Sequence, residues 1–433
     1  MTDNGEYLGF LRAHSWNPNL LAWLYVHIGS VGLCGLLGGN LREDCRVSQE
    51  KKTPIRVMRI IARMNVGGPA VQVSGLMRGF NSADFDHRLY TGFCAADEAD
   101  YLDIVATDIK ATRIEGFGRR VSLGGDVKAF VSLIKEIRSF KPHVIHTHTA
   151  KAGFLGRIAS VVSLQPSIRV HTFHGHLLNG YFGALKRSLV IIAEKVLAIF
   201  THELLAVGDK VRQDLLAVGI GNSKKFGLMP PGLEIGRLPN KRDSQESYAL
   251  STSILQCAFI GRVTQIKRPD SFLAVVAEIE RRGVDLQFFM AGDGELLDSC
   301  RERIVREHLP VKVLGWQSDI EKVLSAADLV VLTSDNEGTP LSLIQAGMAG
   351  LPVVTTRVGS VPEVVLDGET GIITSLDVQK IADALEKLAN SSDLRGQIGA
   401  AAKEFTLANF GVKRLVHDHE ELYKKLLTSR AKS

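Results

Sequence analysis

From about residue 55 onwards, the chain alternates short apolar runs with longer amphipathic segments. The apolar runs have the length of strands, and the segments between them repeat apolar residues at helical spacing. Gly, Pro and Asn fall between the two kinds of segment, where turns are expected. Alternation of this kind is typical of a parallel sheet with helices on both faces. We therefore predict an α/β protein with doubly wound parallel sheets.

The predicted strands form two groups of similar layout. The first group comprises the runs Ile55–Arg63, His87–Phe93, Thr112–Glu115, His143–His148, Ile168–Phe173, Glu203–Val207 and Lys225–Met229. The second group comprises the runs Leu255–Ile260, Gln287–Ala291, Val311–Gly315, Asp328–Thr333 and Leu351–Thr356. A chain of 433 residues is also too long for one hydrophobic core. Two domains are expected, each with its own parallel sheet.

Turn-rich stretches between the groups suggest the domain boundaries. Pro230-Pro231-Gly232 and the polar run from Pro239 to Ser247 indicate a linker. We expect an N-terminal extension at 1–53, a first domain at 54–240, a second domain at 241–409 and a C-terminal helix at 410–433. This amphipathic helix is expected to return to the first domain.

The N-terminal extension contains an apolar stretch, Leu20 to Leu37, without Asp, Glu, Lys or Arg. Its length is at the threshold for spanning a bilayer, and its glycines and His27 weaken that interpretation. Three interpretations stay open: an extension that adds nothing to the fold, a membrane anchor, and a packed helix. The basic residues after the stretch favour a cytoplasmic location for the rest of the chain.

Composition argues against several classes of protein. A net charge of +5 is too mild to indicate nucleic-acid binding. The five cysteines are scattered without C-x-x-C pairs, so they indicate neither a disulfide framework nor a zinc site. We expect a cytoplasmic protein. Basic pairs such as Arg119-Arg120 and Lys186-Arg187 leave open a peripheral contact with the inner membrane, although ordinary surface charge is the simpler explanation.

The stretch after the predicted strand Asp328–Thr333 has the features of a phosphate site. A polar loop with Glu337 leads into a helix predicted to begin with Thr339 as N-cap and Pro340 at the first helical position. Its N-terminus is expected at the carboxyl edge of the sheet, where α/β proteins bind ligands and free N–H groups favour phosphate. Gln345 follows about two turns later, roughly 12 Å along the helix. A nucleotide diphosphate sugar has the length to lie along this edge.

Two cations follow the strand Leu255–Ile260. Arg262 and Lys267 are five residues apart at a strand end, where they can clamp a diphosphate, Arg by its planar fork and Lys as a point charge. A solvated basic loop is the other interpretation. The glycine turn at Gly67-Gly68, after the first predicted strand, is a weaker signal for contact between backbone N–H groups and an anion.

Five histidines fall in two clusters at the ends of predicted strands. These are His146, His148, His171, His174 and His176. Their spacing is compatible with zinc, but no carboxylate or cysteine joins either cluster, so we expect no metal. Because the carboxyl ends of adjacent parallel strands share one edge, both clusters are expected to open onto the same cleft.

The stretch from Ser334 to Val354 resembles the signature of the retaining, family-4 glycosyltransferases, which have two facing Rossmann-like domains known as the GT-B fold. The family pattern of Glu, seven residues and Glu is matched except at its second position, where this chain has Gln345. The segment Gly261–Lys267 resembles the family segment whose Arg and Lys hold the donor pyrophosphate. The segment His171–Gly175 resembles the family's Thr-Phe-His motif.

This resemblance implies roles for individual residues. Arg262 and Lys267 would bind the diphosphate, Glu337 would orient the sugar hydroxyls, and His174 would lie beside the donor sugar. His146 or His148 would contact the acceptor. The donor-binding positions that the resemblance also implies are Gly67, Gly68, Gly338, Thr339, Pro340, Leu341 and Gln345. A Gln at 345 accepts a ribose hydrogen bond without charge assistance, so donor binding is expected to be weaker or altered.

The implied reaction moves a sugar from a nucleotide diphosphate sugar to a hydroxyl acceptor and keeps the anomeric configuration, with no metal or other cofactor. We expect a UDP-linked donor and a lipid-linked or growing surface glycan as acceptor, with no nucleic-acid partner. Two alternatives stay open. One is a nucleotide-sugar epimerase on the same fold, and the other is a non-catalytic sugar-nucleotide-binding partner in a polysaccharide assembly complex.

Overall fold

The structure, a computed structural model, describes residues 53–119, 121–175 and 184–432. The apolar stretch from Leu20 to Leu37 lies outside these ranges, as does His176. Within them, every helix is too short or too polar to cross a lipid bilayer.

The first sheet has seven parallel strands in the order β3-β2-β1-β4-β5-β6-β7. The strands are β1 (Ile55–Ile61), β2 (Phe85–Thr91), β3 (Ala111–Arg113), β4 (Val144–His148), β5 (Ile168–Phe173), β6 (Glu203–Ala206) and β7 (Phe226–Leu228). The associated helices are α1 (Gly68–Gly79), α2 (Tyr101–Ile104), α3 (Leu123–Phe140), α4 (Ala150–Val162), α5 (Ala184–Phe200) and α6 (Asp209–Ala217). β1 is central and pairs with β2 and β4. The carboxyl ends of β1, β4 and β5 are therefore adjacent.

The second sheet has six parallel strands in the order β10-β9-β8-β11-β12-β13. The strands are β8 (Leu255–Ile260), β9 (Leu286–Ala291), β10 (Val311–Gly315), β11 (Leu329–Leu332), β12 (Val353–Thr356) and β13 (Ile372–Thr374). The helices are α7 (Lys241–Ser247), α8 (Pro269–Arg282), α9 (Leu297–Arg306), α10 (Ile320–Ala326), α11 (Leu341–Ala349), α12 (Val361–Val364), α13 (Val378–Ala389), α14 (Ser392–Phe410) and α15 (Val412–Ala431). Two parallel sheets with helices confirm the predicted fold class.

The inner strands of both sheets are largely buried, as is usual for parallel sheets covered by helices. β11 is wholly apolar, whereas β1 and β4 also carry buried Arg, His and Thr side chains. The second sheet separates two cores, one around Phe259 and Phe288 and the other around Ile344. α15 packs against the first sheet, where Leu415 and Tyr423 join the core that contains Val57. The residue-level domain boundaries stay predictions.

One local expectation was wrong, and one short element was missed. The polar run predicted as a linker contains α7, whose N-terminus is capped by Asn240 through its side-chain oxygen and the N–H of Asp243, 3.2 Å apart. This helix belongs to the second lobe, because Gln245 donates a hydrogen bond to the carbonyl of Ala326 at 3.2 Å. The short strand β13 was not predicted, since three residues carry too little periodicity to show.

Candidate active site

A buried ion pair lies at the carboxyl edge of the second sheet. Lys267 ends a short 3₁₀ turn after β8, and Glu337 lies in the loop after β11. Lys267 Nζ is 2.5 Å from Glu337 Oε1, and the two side chains are 16% and 8% exposed. Ser334 Oγ donates a second hydrogen bond to Oε1 at 2.5 Å. Both partners of Glu337 use Oε1, so Oε2 has no hydrogen-bond partner within the described ranges.

The loops that carry this pair are tied to each other. Thr333 Oγ1 donates to the carbonyl oxygens of Lys267 and Arg268, at 3.1 and 2.9 Å. The N–H of Asp335 donates to the carbonyl of Ile266 at 2.9 Å. These bonds fix the separation of the two strand-end loops independently of the ion pair.

Helix α11 begins one residue later than the sequence predicted. Its N-cap is Pro340, which has no side-chain cap, and Leu341 is the first helical residue. The predicted capping role of Thr339 is wrong, because its hydroxyl donates to the carbonyl of Val207 in the first lobe, 3.1 Å away. Among the residues that the structure describes, the N–H groups of Gly338, Thr339 and Leu341 have no acceptor. They leave the anion-binding character of this helix start intact.

The first lobe meets this edge closely. A Cβ added to Gly338 would lie 2.9 Å from the Cα of Gly175 and 3.0 Å from the carbonyl oxygen of His174. A Cβ added to Gly68 would lie 3.5 Å from Leu341 Cδ1. The glycine turn, the end of the segment after β5 and the start of α11 therefore border one crevice between the lobes.

A second contact between the lobes caps helix α6. Glu363, on α12, accepts hydrogen bonds from the N–H groups of Asp209 and Lys210, at 2.6 and 3.0 Å. A carboxylate at a helix N-terminus is favoured both by the free N–H groups and by the helix dipole. The same contact fixes how the two sheet edges face each other.

The other predicted donor-binding residues are less constrained. Arg262 is exposed, and its guanidinium has no hydrogen-bond or ion-pair partner in the described part of the chain. Gln345 is half-buried on α11, and no group of the described residues bonds its amide. Gly67 is the N-cap residue of α1, and its carbonyl accepts from the N–H of Ala70 at 3.1 Å.

The histidines are divided between the interior and the crevice. His146, His148 and His171 are at most 1% exposed, so the expectation that His146 or His148 contacts an acceptor is wrong for this structure. His174 is half-buried at the end of the segment after β5, and its backbone carbonyl borders the crevice beside Gly175 and Gly338. His148 and His174 are in direct contact, because His148 Nδ1 is 2.8 Å from His174 Nε2.

The buried histidines surround Arg59, a residue to which sequence analysis assigned no role. Arg59 is fully buried on β1. Its neighbours come from β2, β4 and α15, and they are His87, His146, His148 and Tyr423. The available signal was the position of Arg59 in the middle of a strand that is apolar apart from it and Arg56, because charged side chains are almost never fully buried unless they are paired.

Electrostatics keep these rings neutral. Burial, with the positive charge of Arg59 as a second cause, lowers the pKa of His174 to about 3. Burial also lowers the pKa of His146 and of His148 well below the usual value of 6.5, and neighbouring charges add to the effect. Around neutral pH the cluster therefore carries one positive charge, on Arg59.

The turn that follows β4 is strained. Thr149 has φ 69° and ψ 158°, a region that is essentially restricted to glycine. It directly follows His148 and precedes α4, and its Oγ1 is buried without a partner among the described residues. Strain of about 1–3 kcal/mol at such a residue is typical of functional sites.

Within the described ranges, no three or more His, Cys, Asp or Glu side chains are arranged so that they could hold a metal ion.

Two family models match consecutive parts of the chain. The model described as Glycosyl transferase 4-like domain matches residues 67–231, and the model described as Glycosyl transferases group 1 matches residues 255–391. The first match contains the glycine turn and the histidine clusters. The second contains Arg262, Lys267 and Glu337.

Curated relatives align over most of the chain. UDP-Gal:alpha-D-GlcNAc-diphosphoundecaprenol alpha-1,3-galactosyltransferase of Escherichia coli is 27% identical over 345 residues, which are 76% of this chain and 87% of that protein. The capsular polysaccharide biosynthesis glycosyltransferase CapM of Staphylococcus aureus is 23% identical over 339 residues, which are 76% of this chain and 89% of that protein.

Solved structures share the fold. HepE of Anabaena, in complex with UDP and glucose, superposes with a TM-score of 0.73 at 17% identity, covering 86% of this chain and 99% of that one. Sucrose-phosphate synthase from Thermosynechococcus elongatus superposes with a TM-score of 0.74 at 17% identity, covering 87% of this chain and 100% of that one. With both family models matched in order and this fold, the chain belongs to the family-4 glycosyltransferases of the GT-B fold.

Proposed function

We propose that this glycosyltransferase moves a sugar from a uridine diphosphate sugar to a hydroxyl of a lipid-linked or growing surface glycan, with retention of configuration. The observation that carries the proposal is the buried Lys267–Glu337 pair beside the exposed Arg262 and the start of α11. The names of two proteins support the choice of donor and acceptor. The E. coli relative is named for UDP-Gal and a diphosphoundecaprenol acceptor, and HepE was solved with UDP and glucose.

The diphosphate would lie between the two cations and the helix start. Arg262 is exposed and unpaired among the described residues, so it can rearrange onto a phosphate without breaking a bond. Lys267 keeps 16% of its side chain accessible while it pairs with Glu337. Free N–H groups at Gly338 and Leu341 add fixed dipoles, and this combination stabilises negative charge that grows on a departing phosphate.

Glu337 is suited to orienting the sugar. Its Oε1 is held by Lys267 and Ser334, which fixes the carboxylate, and its Oε2 is free to accept a bond from a sugar hydroxyl. Positioning by such a fixed group matters because small displacements of the reacting atoms are costly. Gln345, further along α11, would accept from a ribose hydroxyl.

The bond changes follow from retention on one face of the sugar. The bond from the anomeric carbon to the diphosphate oxygen breaks, the acceptor oxygen bonds to the same face, and the departing phosphate takes the acceptor proton. Arg262 and Lys267 supply the positive charge that this step needs, and the reaction we propose is independent of metal.

A panel of nucleotide sugars tests the proposal. Each is added to the purified full-length protein, and the rise in melting temperature is measured, because a ligand that binds the folded state raises stability by mass action. The best donor is then incubated with a diphosphoundecaprenol-linked sugar, with and without EDTA, and the product linkage is assigned by NMR. An α-linked product from an α-linked donor, formed equally with EDTA, is expected.

Three results would overturn parts of the proposal. A product with inverted anomeric configuration would show that the enzyme is not retaining. Loss of product with EDTA would show that the reaction needs a metal ion. Conversion of the donor in the absence of any acceptor would favour the epimerase alternative instead.

A further inference from the structure

The guanidinium of Arg59 is buried without a carboxylate. No ion pair involves Arg59 within the described part of the chain. It donates instead to neutral acceptors: Nε to His87 Nε2 at 2.8 Å, one terminal nitrogen to His148 Nε2 at 2.6 Å and the other to Tyr423 Oη at 3.0 Å. A buried positive charge without a counter-ion is costly, so its retention here suggests a role beyond packing.

This arrangement decides where the proton of His148 lies. A guanidinium is always protonated and only donates, so His148 Nε2 must accept. The ring is neutral, since burial lowers its pKa well below the usual value and the positive charge of Arg59 adds to that effect. A neutral imidazole that accepts at Nε2 carries its proton on Nδ1.

The same reasoning fixes the position of the proton on His174. His148 Nδ1 lies 2.8 Å from His174 Nε2, so the proton on Nδ1 is donated and His174 Nε2 accepts. His174 is also neutral, because burial and Arg59 lower its pKa to about 3. Its own proton is therefore on Nδ1, for which the described residues supply no acceptor.

A second branch from Arg59 is consistent with the first. Tyr423 Oη accepts from Arg59, so its hydroxyl proton is free for His146 Nδ1, 2.6 Å away. His146 then carries its proton on Nε2 and donates it to Thr172 Oγ1 at 2.7 Å. Arg59 also lies 3.4 Å from His146 Nδ1 and only donates, which agrees with Nδ1 as an acceptor. Among the described residues, the branch through His148 is the one that continues to His174.

We propose that Arg59 is a positioning residue that fixes the tautomers of His148 and His174, so that His174 presents an N–H donor at Nδ1 to the crevice. Under the proposed function, on which this consequence rests, His174 donates a hydrogen bond to an oxygen of the bound sugar or acceptor. It does not remove the acceptor proton, because the nitrogen that faces the crevice already carries one. Only arginine offers three separate nitrogen donors in a rigid fork, so lysine cannot replace it here.

NMR of the full-length protein tests the tautomers directly. The protein is labelled with ¹⁵N at its histidine rings, and ring signals are recorded at pH 7.5, with His148 and His174 assigned by the loss of one signal set in His148→Gln and in His174→Gln. Both rings are expected as neutral Nδ1–H tautomers. A neutral Nε2–H tautomer or an imidazolium at His174 in the wild-type protein would overturn the proposal without any need for an Arg59 variant.

Two variants then separate positioning from structure. Arg59→Met removes the donor to His148, and we expect the His174 tautomer to become mixed and kcat to fall about tenfold or more, with a smaller change in KM for the donor. Tyr423→Phe is the matched control, because it removes one hydroxyl from the other branch. It is expected to keep the Nδ1–H tautomer of His174 and most of kcat, although the melting temperature falls.

An Arg59→Met protein that keeps both the tautomer of His174 and the wild-type kcat would overturn the role of Arg59, and so would an equal loss of kcat in Tyr423→Phe. The tautomer measurement does not need a substrate. If the expected tautomers are found while the protein transfers no sugar from any donor, the proposed role of Arg59 is supported and the proposed function is wrong.

Discussion

Each lobe has a buried or half-buried cation near the carboxyl edge of its parallel sheet, but the groups that surround the two cations differ. In the second lobe, Lys267 is paired with a carboxylate and both side chains keep some solvent access. In the first lobe, Arg59 is fully buried among neutral rings and a phenol, with no carboxylate within the described ranges.

The difference indicates two uses of positive charge. A cation with a carboxylate partner and an accessible side can exchange part of its pairing for a phosphate, which suits ligand binding. A cation enclosed by neutral acceptors has nothing to exchange, but it imposes a direction on every hydrogen bond around it. The second lobe therefore has the arrangement of a charge clamp, and the first has that of a fixed proton network.

The largest expected difference between the lobes is in their stability at low pH, where the first lobe should be destabilised more than the second. Residues 241–409, which contain the second sheet, include a single histidine, His308. Histidines with a lowered pKa lie on the first lobe or on α15, namely His87, His143, His146, His148, His171, His174, His202 and His419. Their folded-state pKa lies below the unfolded value of 6.5, so the unfolded chain binds more protons below pH 6.5 and the first lobe loses stability as pH falls.

A deeply buried ring such as that of His146 or His148 removes up to about 1.4 kcal/mol of stability per pH unit below its unfolded-state pKa, until the folded-state value is reached. Hydrogen exchange at pH 7.5 and pH 5, corrected for intrinsic rates, measures the effect. Peptides from β1 and β4 should lose protection, and peptides from β8 and β11 should keep it. An equal loss of protection in both lobes would show that the buried histidines do not make the first lobe more sensitive to acid.

Arg262→Ala and Lys267→Ala test the clamp. Each should lower kcat by roughly 10²–10³-fold, the usual cost of removing one group that stabilises developing negative charge. Only Lys267→Ala should also lower the melting temperature, because it leaves the buried Glu337 without its cation. Arg268→Ala, one residue further along and paired with Asp270 and Asp335 on the exposed side, is the control with near wild-type kcat. Comparable losses of kcat in all three variants would contradict a specific role of Arg262 and Lys267 in binding the diphosphate.

A pair of glycine substitutions tests how closely the two edges must meet. Gly338→Ala places a methyl group 2.9 Å from the Cα of Gly175, so the lobes must shift, and kcat should fall by up to about 10²-fold. Gly175→Ala is the matched control, because among the described residues the nearest atom to its added methyl group would be the Cα of Gly338, 4.0 Å away. Steady-state kinetics of both variants measures the asymmetry, and equal activities would show that this approach is unimportant.

Gln345→Glu should give the smallest effect. A carboxylate at this position adds charge assistance to a ribose hydrogen bond, worth about 1 kcal/mol or roughly fivefold in donor Kd. Calorimetric titration with the best donor measures it, and Gln345→Ala is the control that should weaken binding. Weaker binding by Gln345→Glu would mean that this side chain does not contact the ribose.

Local pattern was enough to predict most of the fold. β5 and β8 have the predicted bounds, because an apolar run bounded by turn residues records a buried strand within a few neighbouring residues. The Lys267 and Glu337 loops were predictable for the same reason, since each follows such a run. The start of α11 was misplaced by one residue, because the hydroxyl of Thr339 bonds a carbonyl of the other lobe, which local capping rules do not consider.

The Arg59 cluster could not be predicted from local pattern. Arg59 and Tyr423 are 364 positions apart, and His146 and Tyr423 are 277 apart, so no spacing rule connects them. The histidine clusters were visible in the sequence, but whether their rings face the crevice or the interior depends on what covers them. That cover is α15, and its position is a property of the whole fold.

The position of Tyr423 also has a consequence for how the protein is made. Ribosomal synthesis proceeds from the N-terminus, and domains generally fold as they emerge. Here the interior of the first lobe is completed by α15, so Arg59 and its ring neighbours stay uncovered in the nascent chain until α15 has been synthesised. A stop codon even a few positions before Tyr423 would therefore damage the lobe that was synthesised first.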